Sequence, residues 1–212
     1  GRNFQYSSQI PYLPQNANSG WSAKYLRDEY DRVRREIETL TGRQVDDTAL
    51  AKSIAVFNEN RRLLRDLYAL KRETPWLVSV DETYVLLSVG TLIPREEHNA
   101  LLAYVLPPLK ARTTKKQDKI RVVFEGGFCE QPPLDLLRVI SQSCYVVDDD
   151  LLIGLRWITE DVSSAGDPLL NLAEAYLNKS SYSPVQHDLR KPKEKMLAQR
   201  VKNASAQAVI VT

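Results

Sequence analysis

Hydrophobic positions in the first half of the chain recur every three or four residues, the spacing of one buried helix face. Ser79 and Glu82 have the spacing of a capping box ahead of one such run. A strand stays open as an alternative for that run because of its β-branched content. The pattern therefore predicts a helical first half, with helices at Trp21–Leu40, Asp47–Lys71, Val80–Val89 and Pro94–Leu109.

The spacing of hydrophobic positions changes after Lys110–Lys119. We interpret this charged stretch as an exposed linker, with contacts to phosphate groups as the alternative. Helical patterns then alternate with short apolar runs, which predicts a parallel sheet with right-handed crossovers. The expected strands are Ile120–Phe124, Cys144–Val147 and 207–211, and the expected helices are 133–142, 168–176 and 192–203.

These elements predict an α/β protein, in which a helical segment is followed by a partial Rossmann- or flavodoxin-like domain with a three-layer parallel sheet. We place a polar, turn-rich connector at 1–20, the helical region at 21–112 and the sheet domain at 113–212. The start without Met and the apolar run at Val209–Thr212 lead us to expect a piece of a longer protein.

Composition narrows the class of protein. Of 212 residues, 43% are hydrophobic, and the formal net charge of +2 is too small to argue for nucleic acid or a membrane surface. No apolar run approaches the ~20 residues that span a bilayer. Two cysteines without a paired spacing fit reduced thiols, so we expect a cytoplasmic protein.

The loop after the first predicted strand carries the most candidate chemistry, in Gly126, Gly127, Cys129, Glu130 and Gln131. Loops at the carboxyl ends of parallel strands are where ligands bind in open α/β sheets. The cysteine could be a nucleophile or metal ligand beside a helix N-terminus, or incidental. One cysteine cannot hold an iron–sulfur cluster, which needs three or four thiolates.

Three further features are weaker candidates. Asp148–Asp150 could hold a hard cation such as Mg²⁺, or the first carboxylate could cap the next segment of the chain. His187 could orient a substrate or act as an acid, but a surface histidine is the simpler interpretation. For Arg61, Arg62 and Arg65 we favour a solvated helix face over an anion site.

A longer ordered pattern resembles a known family. Its parts are Phe124–Leu137, Val146–Trp157, Gly166–Leu177, Ser180–Asp188 and, in the helical half, Pro94–Leu101. Together they are similar to the benzoyl-CoA reductase / 2-hydroxyacyl-CoA dehydratase family, and most of all to its benzoyl-CoA reductase branch.

The resemblance implies a catalytic subunit of an ATP-dependent reductase that dearomatises benzoyl-CoA to a cyclohexadiene-carbonyl-CoA. It implies a [4Fe-4S] cluster whose three cysteines fall outside residues 1–212, so that Cys129 is no ligand and this chain holds no metal. Two of those cysteines belong to a preceding α/β domain. Glu130 and His187 are then candidate proton donors beside a cavity lined by the Gly126–Gln131 loop.

The implied partners are benzoyl-CoA or a related acyl-CoA, a sister catalytic subunit, activator subunits that hydrolyse ATP, and an electron donor such as ferredoxin. The alternatives are a subunit of a 2-hydroxyacyl-CoA dehydratase and a non-catalytic CoA-binding or assembly subunit. By itself, the stretch of 212 residues is expected to be inactive.

Overall fold

The computed structural model describes residues 10–126, 131–152, 156–182 and 188–211. The helices of the described part are α1 (Ser22–Thr41), α2 (Asp47–Glu73), α3 (Val80–Val89), α4 (Arg95–Lys110), α5 (Leu134–Ser143), α6 (Pro168–Lys179) and α7 (Lys193–Asn203). The strands are β1 (Ile120–Glu125), β2 (Cys144–Asp149) and β3 (Ala208–Val211). The predicted order of elements is confirmed, and α3 is a helix.

Local signals explain where the helices begin and end. The Ser79 hydroxyl accepts from the Glu82 amide while the Glu82 carboxylate accepts from the Ser79 amide, which completes the predicted capping box. Asp167 accepts from two amides in the first turn of α6. The first helix ends at Gly42, whose φ of +66° is the left-handed conformation that glycine adopts without strain.

The three strands form a parallel sheet in the order β2-β1-β3. This order is the one that begins flavodoxin-like sheets, and it confirms the predicted α/β class. The pairing of β1 with β2 is irregular in one place: Val122 pairs with Val146, but Val123 pairs with Asp148. One residue of β2 is therefore skipped, as in a bulge, and every side chain beyond it changes face.

The chain divides into two compact units, which are described separately. The first contains residues up to Ala55 together with Val162–Lys179. In it α1 packs against α6, and the contact buries Ala17, Leu26, Ala173 and Leu177.

The second unit contains Val56–Asp161 and residues from Ser180 onward, with the sheet at its centre. Val122, Phe124 and Val146 pack into a large core with residues of α2, α3, α4 and α5. Residues on the other face of the sheet pack with Leu197, Val201 and Ala204, at α7 and its end. Helices thus cover both faces, giving the expected three layers. No helix in the described ranges is long and apolar enough to cross a membrane.

Candidate functional site

The loop after β1 is fixed at both ends to the segment that comes after β2. The Gly126 amide donates a hydrogen bond of 2.8 Å to Oδ2 of Asp150. The Leu152 amide donates one of 2.9 Å to Oε1 of Gln131. A φ of +120° at Gly126 is a conformation that a side chain would strain. Gly126 and Gln131 therefore lie at the carboxyl edge of the sheet, as expected, while their function stays a prediction.

The remaining candidates from the sequence are Gly127, Cys129, Glu130 and His187, and all four lie outside the residues that the structure describes. Their proposed roles as cavity wall or proton donors stay predictions. Tyr68 and Lys71 on α2 and Arg200 on α7 are site residues that sequence reasoning did not select.

A cavity of about 630 Å³ opens at the same edge of the sheet. This volume lies within the usual range for small-molecule sites. Successive turns of α2 line it, together with the end of β2, the chain after it and α7. The lining residues are Arg61, Leu64, Arg65, Tyr68, Arg72, Asp148, Asp149, Asp150, Arg156, Ile158, Thr159, Glu160, Ser181, Tyr182, Met196, Arg200 and Asn203.

A buried network of polar groups forms the floor of this cavity. The Asp149 carboxylate accepts from the Tyr68 hydroxyl at 2.6 Å and forms an ion pair with Lys71, whose side chain is fully buried. The Arg156 guanidinium lies 3.2 Å from the same carboxylate and 3.7 Å from the centre of the Tyr68 ring. A buried charge is tolerated only when it is paired and hydrogen-bonded, so these four groups depend on one another.

The electrostatics of the network are a consequence of this packing. Burial by itself would raise the pKa of Asp149, but Lys71 and Arg156 outweigh it, and the pKa of Asp149 lies below its ordinary value. Burial raises the pKa of Tyr68 well above its ordinary value, and the adjoining Asp149 carboxylate adds to this. Asp149 is thus held as an anion, and Tyr68 stays protonated and donates to it.

A second set of ion pairs lies on the other face of the sheet. Arg200, on α7, pairs with Glu125 and lies 3.5 Å from Oδ2 of Asp148. Burial raises the pKa of Glu125, and the ion pair with Arg200 offsets this only in part. Adjacent residues of a strand point to opposite faces, and the skipped residue in β2 sets which of the two carboxylates reaches Arg200 on α7 and which reaches Lys71 on α2.

The second strand extends two residues beyond the predicted end at Val147. Asp148 and Asp149 are the last residues of β2, and all three aspartates are buried. Their described partners include guanidinium, ammonium, hydroxyl and amide groups. Within the described ranges, no group of three or more acidic, histidine or cysteine side chains is arranged to hold a metal ion.

The interpretation of the α2 arginines as a solvated face holds for Arg62 and in part for Arg65, whose side chain is also exposed. The Arg62 side chain pairs with Glu59 and Asp66 on its own helix. Arg61 and Arg65 instead line the cavity and donate to the carbonyls of Ile158 and Thr159. Helical spacing groups these residues, because positions 61, 65, 68 and 72 share one face of a helix, but it does not show what that face contacts.

The thiols of the described residues do not fit a [4Fe-4S] cluster. Cys144 is the cysteine within those ranges, and it lies at the first residue of β2, the end opposite the cavity. A cluster needs three or four thiolates that converge on one point. The described part of the chain therefore supplies no cluster site.

Comparison with known proteins shows extended similarity. The family model for 2-hydroxyglutaryl-CoA dehydratase, D-component, matches residues 4–212. A benzoyl-CoA reductase subunit of Thauera aromatica is 40% identical over 93% of this chain. The lactoyl-CoA dehydratase subunit beta of Anaerotignum propionicum is 28% identical over 93%. The (R)-phenyllactyl-CoA dehydratase beta subunit of Clostridium sporogenes is 22% identical over 99%.

The matched regions cover 52%, 53% and 57% of those three relatives, respectively. The chain thus spans about half the length of the curated relatives that it matches.

Proposed function

Because the chain belongs to the family of the 2-hydroxyglutaryl-CoA dehydratase D-component, we propose that it forms part of a catalytic subunit acting on an acyl-CoA thioester. The cavity at the carboxyl edge of the sheet supports this proposal, since open α/β sheets bind their ligands there. Its arginines suit an anionic ligand such as a CoA ester.

Within the family we propose a subunit of an ATP-dependent benzoyl-CoA reductase, which adds electrons and protons to the aromatic ring of benzoyl-CoA and yields a cyclohexadiene-carbonyl-CoA. The observation that carries this choice is the 40% identity to a benzoyl-CoA reductase subunit, against 28% and 22% for two dehydratase subunits. A chain that descends from a reductase ancestor is expected to share more identical residues with reductase subunits than with dehydratase subunits.

The proposal includes partners beyond this chain. The complete enzyme would contain a sister catalytic subunit, activator subunits that hydrolyse ATP, and a donor such as ferredoxin. A [4Fe-4S] cluster would supply low-potential electrons and would be held by cysteines outside residues 1–212, as the resemblance to the family implies. This chain would contribute a charged, structured cavity at the edge of its sheet.

A 2-hydroxyacyl-CoA dehydratase subunit is the second candidate, favoured by the match to the lactoyl-CoA dehydratase subunit. A non-catalytic subunit for CoA binding or assembly is the third, since the described residues supply no cluster site.

The deciding experiment uses the complete complex with the full-length subunit under anaerobic conditions. We expect ATP-dependent loss of benzoyl-CoA and formation of a dienoyl-CoA product. Loss of water from a 2-hydroxyacyl-CoA, with benzoyl-CoA untouched, would instead assign the dehydratase. Neither activity, in a preparation whose full-length subunit also forms no cluster, would support the non-catalytic alternative.

A further inference from the structure

One side of α2 carries a row of arginines along the cavity. Arg61, Arg65 and Arg72 line it at helix positions i, i+4 and i+11, which share one face. Eleven residues of α-helix rise about 16 Å, so the row extends over three turns. The charges are therefore spread along the wall of the cavity, farther apart than one phosphate can bridge.

The carboxylates at the floor of the same cavity are already compensated by other groups. Asp149 is paired with Lys71 and Arg156, and Asp148 lies 3.1 Å from Arg156. Asp150 accepts the backbone amide of the loop after β1. These acidic groups leave the α2 row largely available to a ligand, and the remaining acidic residue of the lining, Glu160, is exposed.

Two members of the row are only weakly compensated. Arg61 donates to the carbonyl of Ile158 and to the side chain of Asn58, both neutral groups. Burial lowers the pKa of Arg61, and the Asp161 carboxylate offsets this only in part. The Arg72 guanidinium comes no nearer than 4.0 Å to a described carboxylate, that of Asp148.

The third member, Arg65, pairs with Asp161 at 2.9 Å, but both side chains are exposed. Exposed ion pairs of this kind contribute little to stability, so a ligand phosphate can replace the carboxylate at little cost. The cavity therefore presents several guanidinium groups that can accept an anionic ligand.

We infer that this row binds the phosphate groups of CoA, with Arg61, Arg65 and Arg72 contacting the 3′-phosphate and the diphosphate. Guanidinium forks bind phosphate oxygens in pairs, and CoA carries its phosphates at two separated places. The inference rests on the proposed function, because that function supplies the class of ligand. Beyond that function, the inference specifies which residues of this chain bind CoA and which part of CoA they bind.

The test is calorimetric titration of the full-length subunit with CoA, 3′-dephospho-CoA and inorganic phosphate. We expect CoA to bind at least tenfold more tightly than 3′-dephospho-CoA, and inorganic phosphate to bind far more weakly than either. Equal affinity for all three would overturn the inference, since it would mean that the row recognises a single phosphate only.

Arg72→Gln is the main variant, because the described contacts of this guanidinium are few and its loss should spare folding. We expect it to weaken CoA binding about tenfold, the effect of one charge-assisted contact. Arg72→Lys should retain part of the affinity. Arg62→Gln is the matched control, on the same helix but outside the cavity, and should leave CoA binding unchanged. Equal losses in Arg62→Gln and Arg72→Gln would contradict the inference.

Failure of the inference can be told from failure of the proposed function by measuring turnover in the complete complex alongside binding. Turnover of a CoA ester by the wild type, with CoA affinity unaffected in Arg72→Gln, refutes the phosphate site and leaves the function standing. Selective loss of CoA affinity in Arg72→Gln, without turnover of any CoA ester by the wild type, supports the site and refutes the function.

Discussion

Replacing Lys71 by Met tests whether the buried network beneath the cavity holds the sheet to α2. Met has nearly the length of Lys, so the change removes the charge and leaves little empty space. Breaking a buried ion pair costs about 3–5 kcal/mol, because the remaining charge is left without its partner. Asp149 keeps the Tyr68 hydroxyl and Arg156, so we expect about 3 kcal/mol, the lower end.

The measurement is the free energy of unfolding in urea, for the full-length subunit. Arg62→Met is the matched control: it removes an exposed cation from the same helix and should cost less than about 1 kcal/mol. In Lys71→Met the pKa of Asp149 should rise, because the compensating ammonium is gone. Stability that depends on the ionised Asp149 would then be lost at a higher pH on acidification than in the wild type.

The double variant Lys71→Met/Asp149→Asn decides whether the two side chains act as a pair. The free energy of unfolding should fall less in the double variant than the sum of the two single decreases, by more than about 1 kcal/mol. A loss below about 1 kcal/mol in Lys71→Met, or strict additivity in the double variant, would refute the buried pair as a source of stability.

Three further changes probe the helical part of the same unit. Gly90→Ala would place a methyl group 2.5 Å from Cε1 of His98 and should cost about 1–3 kcal/mol in urea unfolding, whereas Gly20→Ala, which meets no neighbour, should be near neutral. Burial lowers the pKa of His98, so on acidification the unfolded state takes up a proton before the folded state does. The free energy of unfolding should therefore fall as the pH drops below about 6.5. His98→Gln should flatten this pH dependence, and an unchanged dependence would contradict the role of His98. Ser79→Ala removes half of the capping box and should lower the free energy of unfolding by about 1 kcal/mol, which thermal unfolding would show as a lower midpoint. An unchanged midpoint would mean that Glu82 alone caps the helix.

Patterns of residues close together in the sequence were sufficient to predict most of the helices and strands. The helix at Val80–Val89 begins at a capping box and α6 at an aspartate cap, both contained within four residues of sequence. The positions of Gly126 and Gln131 were also predictable, because a loop after a parallel strand lies at the sheet edge. The domain limits at 20 and 112 and the roles of Cys129, Glu130 and His187 stay predictions.

The composition of the cavity could not be derived in the same way. Arg61 and Arg62 are neighbours with the same chemistry, yet one lines the cavity and the other is exposed. The difference depends on the carbonyl of Ile158, 97 positions away from Arg61. Only folding brings that carbonyl to the helix.

The sequence by itself determined the alternation of helices and strands, their caps and the parallel sheet, because these depend on side-chain periodicity and contacts a few residues apart. Only the tertiary structure decided what Asp148 and Asp149 do. A skipped residue in β2 sets which of the two carboxylates lies on which face, and Lys71, 78 positions before Asp149, fixes that carboxylate as a buried anion. Strand register and long-range ion pairs arise from packing between elements, which local spacing does not encode.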